Sequence, residues 1–113
     1  HDRVKDMIVS GGENIYPAEI ENAIMMHDDV ADVAVIGIPS DRWGETPLAL
    51  LVPKPGTKPS QEDIIAHCLT RLAKFKLPSV VDYIEEIPRN PSGKILKTEL
   101  RKPYWAGRDR GVN

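Results

Sequence analysis

The sequence predicts an α+β domain: a small mixed β-sheet with helices packed on it, preceded by a short β-hairpin. Three observations carry this reading. Apolar, β-branched runs at 30–38, 48–52 and 80–87 have the composition of strands. Two stretches, starting at Pro17 and at Ser60, repeat apolar residues at helical spacing. Gly11-Gly12 sits between short apolar ends in "MIVSGGENIY" (7–16), the pattern of a hairpin or tight loop. Helices and strands mixed in this order pack as one small sheet with helices against it.

The elements follow in order. Pro17 opens a helix at its first position, with Glu19 and Glu21 near the positive end of the dipole. Ile20, Ala23, Ile24 and His27 mark its inner stripe, and Asp28-Asp29 end it. "VADVAVIGI" (30–38) and "LALLV" (48–52) are strands joined by "PSDRWGETP", longer than a tight hairpin turn. "KPGTKP" (54–59) is a turn-rich connection. Ser60 caps the next helix, with Asp63 three residues on, close to a capping box. Ile64, Ile65, Cys68, Leu69 and Leu72 share one face of it. "VVDYIEEI" (80–87) alternates as a strand, the loop 88–94 follows, and a short helix is expected over Thr98–Lys102. The tail "PYWAGRDRGVN" (103–113) reads as frayed.

The totals bound the function. A chain of 113 residues, 41% hydrophobic and 28% charged, is one soluble domain by length and composition. A net charge of -2 argues against a nucleic-acid binder working by bulk charge, and one Phe, two Trp and three Tyr form no stacking platform. The single cysteine, Cys68, has no disulfide partner and no metal-ligand spacing around it, which fits a reducing, cytoplasmic setting. No apolar run is long enough to span a bilayer, and no signal peptide opens the chain. The first residue is His, inside the charged stretch "HDRVKD", so a piece of something longer is expected.

Charge is uneven along the chain. Residues 13–32 hold Glu13, Glu19, Glu21, Asp28, Asp29 and Asp32 without a Lys or Arg. Residues 89–102 hold Arg89, Lys94, Lys97, Arg101 and Lys102 against Glu99 alone. A local basic patch on an acidic domain fits an anionic small-molecule group better than a long polyanion, although from the charge alone two solvated faces are the favoured reading.

Within the basic patch lies "PRNPSGKILK" (88–97). Pro88 and Pro91 fix φ and bias their predecessors to extended shapes, while Gly93 permits a sharp bend. Lys94 therefore projects from a stiff loop as a compact point charge suited to a phosphate or carboxylate oxygen. It is not a P-loop lysine. The first glycine of that motif would fall at Pro88, and Ile95 replaces the magnesium-binding Ser/Thr. From these residues alone a solvated loop lysine is favoured, and Gly11-Gly12 reads as a turn.

Together, "DRVKDMIVSGGENIYPAEIE" (2–21), "RWGE" (42–45) and "PRNPSGKILK" (88–97), in this order and spacing, resemble the C-terminal domain of the adenylate-forming superfamily. That superfamily holds acyl-CoA synthetases, adenylation domains of peptide synthetases and beetle luciferases. The resemblance runs to about Lys102, and "SGGENIYPAEIE" is most similar to the acyl- and aryl-CoA ligase branch, notably the medium- and long-chain fatty-acid–CoA ligases. It implies that residues 1–102 are a mobile C-terminal domain and 103–113 a tail, with a large N-terminal domain absent from this chain. It also implies a two-step reaction. A carboxylate attacks the α-phosphate of ATP, with Mg2+, to give acyl-AMP and pyrophosphate. The thiol of CoA then displaces AMP.

The resemblance assigns roles residue by residue. Lys94 matches the adenylation lysine, and Lys5 the hinge about which the domain rotates between half-reactions. Arg3 matches an arginine near the nucleotide ribose and phosphates. Ser10, Gly11, Gly12, Glu13 and Asn14 match the loop that meets the pantetheine arm of CoA. Phe75 and Lys76 fall where some relatives meet the CoA nucleotide, with a core Phe and a solvated Lys as the alternative; Leu77 is apolar where some relatives carry a basic residue. Trp43 and Glu45 are expected to hold the shape of the strand connection, and His27 and His67 receive no role.

The implied partners are the N-terminal domain, a small-molecule carboxylate, ATP and CoA, with no nucleic acid and no transmembrane segment. Magnesium ligands and the acyl pocket belong to the absent domain, so the fragment alone is expected to be inactive. The setting is cytoplasmic or peripheral to a membrane. The Pro88-to-Lys94 spacing is one that protein acetyltransferases read in relatives, making Lys94 a candidate acetylation site. Two other readings remain: a peptide-synthetase or luciferase-like relative, and a stand-alone module without catalysis.

Overall fold

Two long strands whose side chains alternate between two apolar cores organise the domain. The computed structural model describes residues 7–106. Its elements are β1 (Ile8–Ser10), β2 (Glu13–Ile15), α1 (Pro17–Met25), β3 (Val30–Ser40), β4 (Gly44–Pro53), α2 (Gln61–Leu69), a 3-10 turn (Lys74–Lys76), β5 (Val80–Tyr83) and α3 (Lys97–Trp105). β1 and β2 form a separate antiparallel hairpin, and the main sheet has the order β3-β4-β5. β3 and β4 pair antiparallel, with Ala34 opposite Leu50, whereas β5 runs parallel to β4, with Leu48 opposite Val80. A parallel step needs a crossover, and α2 supplies it. This is the mixed sheet, with hairpin and helices, that the sequence predicts.

Period-two alternation divides the apolar residues. Val33, Val35, Ala49 and Leu51 face one core, shared with Ile8 and Ile15 of the hairpin, Ile20 and Ile24 of α1, and Ile64 and Cys68 of α2. Ala34, Ile36, Leu48 and Leu50 face the other, covered by Ile87 and by Leu100 of α3. Each fully buried Ile or Leu contributes roughly 1.5–3 kcal/mol, so both layers are needed to hold a sheet this small. The hairpin therefore belongs to one face of the sheet and the 84–100 segment to the other.

Helix starts follow the sequence. Pro17 stands at the first turn of α1, and Ser60 Oγ accepts the Asp63 N–H of α2 at 3.1 Å. On α2, Ile64 and Cys68 are buried and Leu72 packs against them, but Leu69 is 52% exposed and lies off the stripe. His27 lies beyond the last residue of α1.

Four boundaries differ from expectation. β3 and β4 extend to Ser40 and from Gly44, leaving only Asp41, Arg42 and Trp43 as the turn. Pro47 is tolerated within β4 because β5 begins opposite Leu48, so no ladder donor is needed there. β5 stops at Tyr83, and the chain from 84 to 96 is irregular apart from an Arg89–Ile95 bridge. α3 runs to Trp105 through Pro103, into the stretch read as frayed. Its last turn is docked: Tyr104 Oη donates to Asp82 at 2.7 Å, and Trp105 Nε1 donates to the Gly37 carbonyl at 2.8 Å.

The outer edges of the sheet are capped by side-chain oxygens. On β3, the Val33 N–H meets Asp32 Oδ1 (2.9 Å) and the Val35 N–H meets Glu21 Oε2 (2.8 Å). On β5, the Val81 N–H meets Gln61 Oε1 and the Tyr83 N–H meets Asp82 Oδ1, both at 2.9 Å.

Candidate functional site

The segment that carries Lys94 is a closed turn organised by Asn90. The Asn90 N–H donates to the Lys94 carbonyl, and the Gly93 N–H donates to the Asn90 carbonyl, both at 2.9 Å. Asn90 Oδ1 accepts from the Ser92 N–H (3.0 Å), the Ser92 hydroxyl (2.8 Å) and the Lys94 N–H (2.9 Å). Gly93 has φ +92, a conformation that side-chain-bearing residues rarely adopt, so the turn closes there. Two residues further out, the Leu96 N–H donates to the Pro88 carbonyl at 2.9 Å. Lys94 is exposed on this turn. The stiffness expected from the prolines is present, but its hydrogen bonds run through Asn90. An Asn-Pro dipeptide is a turn-initiating signal, and that signal was available in the sequence.

Both ends of the segment are tied to the edge of β3. Arg89 makes a fork to Asp32, with Nη1 at 2.7 Å and Nη2 at 3.2 Å from the carboxylate oxygens. The Arg89 hydrogen bond holds the Asp32 carboxyl below its ordinary pKa against a partial desolvation cost, with help from the Val33 N–H. Lys97 Nζ lies 2.8 Å from Glu21 Oε2, the oxygen that also accepts the Val35 N–H. These side chains are only 12% and 17% exposed, so this pair is screened less than a surface bridge. Glu21 comes from α1, across the sheet from α3. The pair therefore clasps the two layers around the β3 edge.

The 10–14 loop occupies the other face. Gly11 (φ +57) and Gly12 (φ +85) form a two-residue turn between Ser10 and Glu13, the positive φ values such hairpin turns require. Gly11, Gly12, Glu13 and Asn14 are exposed, and Ser10 is half-buried. Trp43 and Glu45 hold this hairpin in place. The Gly11 N–H donates to the Trp43 carbonyl at 2.9 Å, and the Val9 N–H donates to Glu45 Oε1 at 3.0 Å. A Cβ on Gly11 would lie 2.6 Å from Trp43 Cε3, so the indole rests on the turn itself. Arg42 stacks over the indole at 4.5 Å. The sequence expectation gave Trp43 and Glu45 a role within the strand connection; their contacts reach beyond it to β1 and its turn.

Phe75 is 48% exposed in the 3-10 turn, so the core alternative does not hold. The Lys76 ammonium is bound by both oxygens of Glu19, at 2.9 and 3.0 Å, so it is not simply solvated. Leu77 packs against the core. His27 and His67 do have partners: His27 Nδ1 accepts the Asp29 N–H and its Nε2 meets Asp63 at 3.0 Å, while His67 Nε2 donates to the Ala23 carbonyl at 2.7 Å. These bonds join α1 to α2 and give the histidines a structural place. Cys68 is buried, and burial pushes its thiol pKa up. Arg3 and Lys5 lie outside the described residues.

Among the described residues no group of three or more His, Cys, Asp or Glu side chains could hold a metal ion. The magnesium implied by the resemblance finds no ligand set here. Among the same residues, no helix is long and apolar enough to cross a membrane.

A family model described as the AMP-binding enzyme C-terminal domain matches residues 19–94, ending on the exposed lysine. The chain is 49% identical over 112 residues to the fatty acid–[acyl-carrier-protein] ligase ScoC of Streptomyces coeruleorubidus, covering 99% of the chain and 22% of that protein. It is 54% identical over 105 residues to the long-chain-fatty-acid–CoA ligase FadD13 of Mycobacterium tuberculosis, covering 93% of the chain and 21% of that protein. A solved Mycobacterium tuberculosis fatty acyl CoA synthetase superposes with a TM-score of 0.86 at 52% identity, over 95% of the chain and 21% of that structure. The chain thus spans about a fifth of the length of the relatives it matches.

Proposed function

The chain belongs to the AMP-binding enzyme C-terminal domain family, and from that membership we propose that it is the mobile C-terminal domain of an ATP-dependent acyl-CoA ligase acting on a fatty acid. The overall reaction is carboxylate, ATP and CoA to acyl-CoA, AMP and pyrophosphate, through an acyl-adenylate. The observation that carries this reading is Lys94, exposed on a hydrogen-bonded turn at the end of the family match. In adenylate formation its ammonium lies between the attacking carboxylate and the phosphoryl oxygens and offsets the developing negative charge. A charge fixed in advance needs no reorganisation, which is what a braced turn supplies.

In the second half-reaction the Ser10–Asn14 loop faces the thiol donor, and its glycines let backbone approach the pantetheine arm. Phe75 and Lys76 remain candidates for the nucleotide end of CoA. Lys5 is the proposed hinge and Arg3 the proposed nucleotide contact. Magnesium, the acyl pocket and the remaining ATP contacts belong to the N-terminal domain, so the 113 residues do not turn over alone. Formation of acyl-CoA by the isolated chain from ATP, CoA and a fatty acid would remove that claim. Acetylation of Lys94 by a protein acetyltransferase would erase its charge and block the first step.

The experiment is Lys94→Ala in the full-length ligase. Acyl-AMP formation is lost, and thioester formation from supplied acyl-AMP is kept. Retention of acyl-AMP formation refutes the assignment. A second reading has an acyl-carrier protein as acceptor, favoured by the 49% identity to a ligase of that name. Offering CoA and a carrier protein in parallel separates the two.

A further inference from the structure

We propose that Asn90 is the positioning residue for Lys94, a role that rests on Lys94 acting in adenylate formation. Asn90 grips the Lys94 backbone at both ends: its Oδ1 accepts the Lys94 N–H at 2.9 Å, and its own N–H donates to the Lys94 carbonyl at 2.9 Å. Those two bonds fix the peptide planes on either side of the Lys94 Cα, and so the direction of its Cα–Cβ bond. The same amide oxygen takes the N–H and hydroxyl of Ser92, which sets the turn leading into Gly93. Pro88 and Pro91 restrict their own φ angles and cannot do this, because neither bonds to Lys94. Asn90 is itself held from below by its neighbour Arg89, whose fork to Asp32 ties the turn to β3.

The three Oδ1 bonds lie at an exposed turn, where water can replace them if the amide is lost. Removing Asn90 therefore leaves the domain folded and releases the aim of Lys94. Misplacement of a reacting group by about 1 Å costs on the order of 100-fold in rate. A serine at this position still offers a short acceptor for a turn N–H, more weakly than an asparagine.

The test uses full-length ligase carrying Asn90→Ala, Asn90→Ser or Lys94→Ala. Acyl-AMP formation is measured in single turnover with ATP and fatty acid, thioester formation from supplied acyl-AMP and CoA, and the unfolding temperature of each variant. The expected result for Asn90→Ala is a single-turnover rate constant for adenylation about 10- to 100-fold lower at saturating ATP, with little change in the ATP concentration that gives half the maximal rate, in the thioester step or in unfolding temperature. Asn90→Ser recovers part of the loss. Unchanged adenylation in Asn90→Ala, beside its loss in Lys94→Ala, overturns the Asn90 inference alone. Adenylation kept in Lys94→Ala overturns the reading of Lys94 and this inference with it. An Asn90→Ala that loses both half-reactions together with its unfolding temperature makes Asn90 a fold residue and likewise overturns the proposal.

Discussion

Substituting alanine at Gly11 and at Gly12 separates two costs that a glycine turn usually conceals. Both residues have positive φ, +57 and +85, so alanine at either pays a backbone cost of roughly 1–2 kcal/mol. A Cβ at Gly12 meets nothing within 4 Å, so that cost is the whole effect there. At Gly11 the new Cβ would fall 2.6 Å from Trp43 Cε3 and 3.1 Å from Cζ3. Carbon atoms pack best at about 3.5–4.0 Å, so the indole must retreat by about 1 Å. Trp43 is 45% exposed and can move, but in moving it strains the 2.9 Å Gly11–Trp43 hydrogen bond and uncovers the turn. Overpacking of this kind adds about 1–3 kcal/mol. At about 4 °C per kcal/mol, the unfolding temperature of Gly11→Ala should fall at least about 4 °C below that of Gly12→Ala. Circular dichroism melts of the 113-residue chain measure this. The same pair in a Trp43→Ala background should show no gap. Equal melts in the wild-type background, or a gap that survives removal of Trp43, would refute the reasoning.

Other expectations concern charge and burial. The depressed Asp32 pKa means that the Arg89 pairing stabilises the domain above the ordinary carboxylate range and that this contribution is lost as pH falls through the folded-state value. Urea unfolding should therefore show Arg89→Met weaker than wild type at pH 7, by about 1 kcal/mol or less because the pair is partly exposed, with the difference shrinking as pH falls below the ordinary carboxylate range. A difference that persists in acid would contradict the linkage. Tyr104 is pushed up to about 12, first by burial and then by its bond to Asp82. Its neutral form stabilises the fold below pH 10, and this is lost as pH rises through 12. An ultraviolet titration should lose a late tyrosinate step in Tyr104→Phe. Cys68, buried with a raised thiol pKa, should resist iodoacetamide at pH 8 until urea unfolds the chain. Stoichiometric labelling of the native protein would refute its burial.

How much was legible in the sequence depended on how local each cause was. The core strands showed because Val33, Val35, Ala34 and Ile36 alternate between two buried faces, a pattern that needs no distant partner. The Ser60 cap and the Pro17 start are equally local. The long β3–β4 ribbon was hidden by Pro39, Pro47 and a polar tip, which read as loop when the neighbouring strand is unknown. The last turn of α3 was hidden by Pro103, and only the docking of Tyr104 and Trp105 on distant backbone and side-chain partners holds it. In the candidate site, Lys94 and the glycine turn were visible as motifs. Their long-range supports were not, because Glu21–Lys97, Asp32–Arg89 and Gly11–Trp43 join residues far apart in the chain.

The capped sheet edges bear on how this domain behaves in crowded company. A free strand edge recruits another strand by offering N–H groups at every second residue. Here the outward amides of Val33, Val35, Val81 and Tyr83 are already taken by carboxylate or amide oxygens. An arriving strand would have to displace an acceptor at each, three of them carboxylates, from Asp32, Glu21 and Asp82, that would then face its carbonyls. Both edges thus discourage cross-chain ladder growth. Aggregation of the concentrated domain, and domain swapping on refolding, should rise first in variants such as Glu21→Ala and Gln61→Ala, which reopen one docking register on each side.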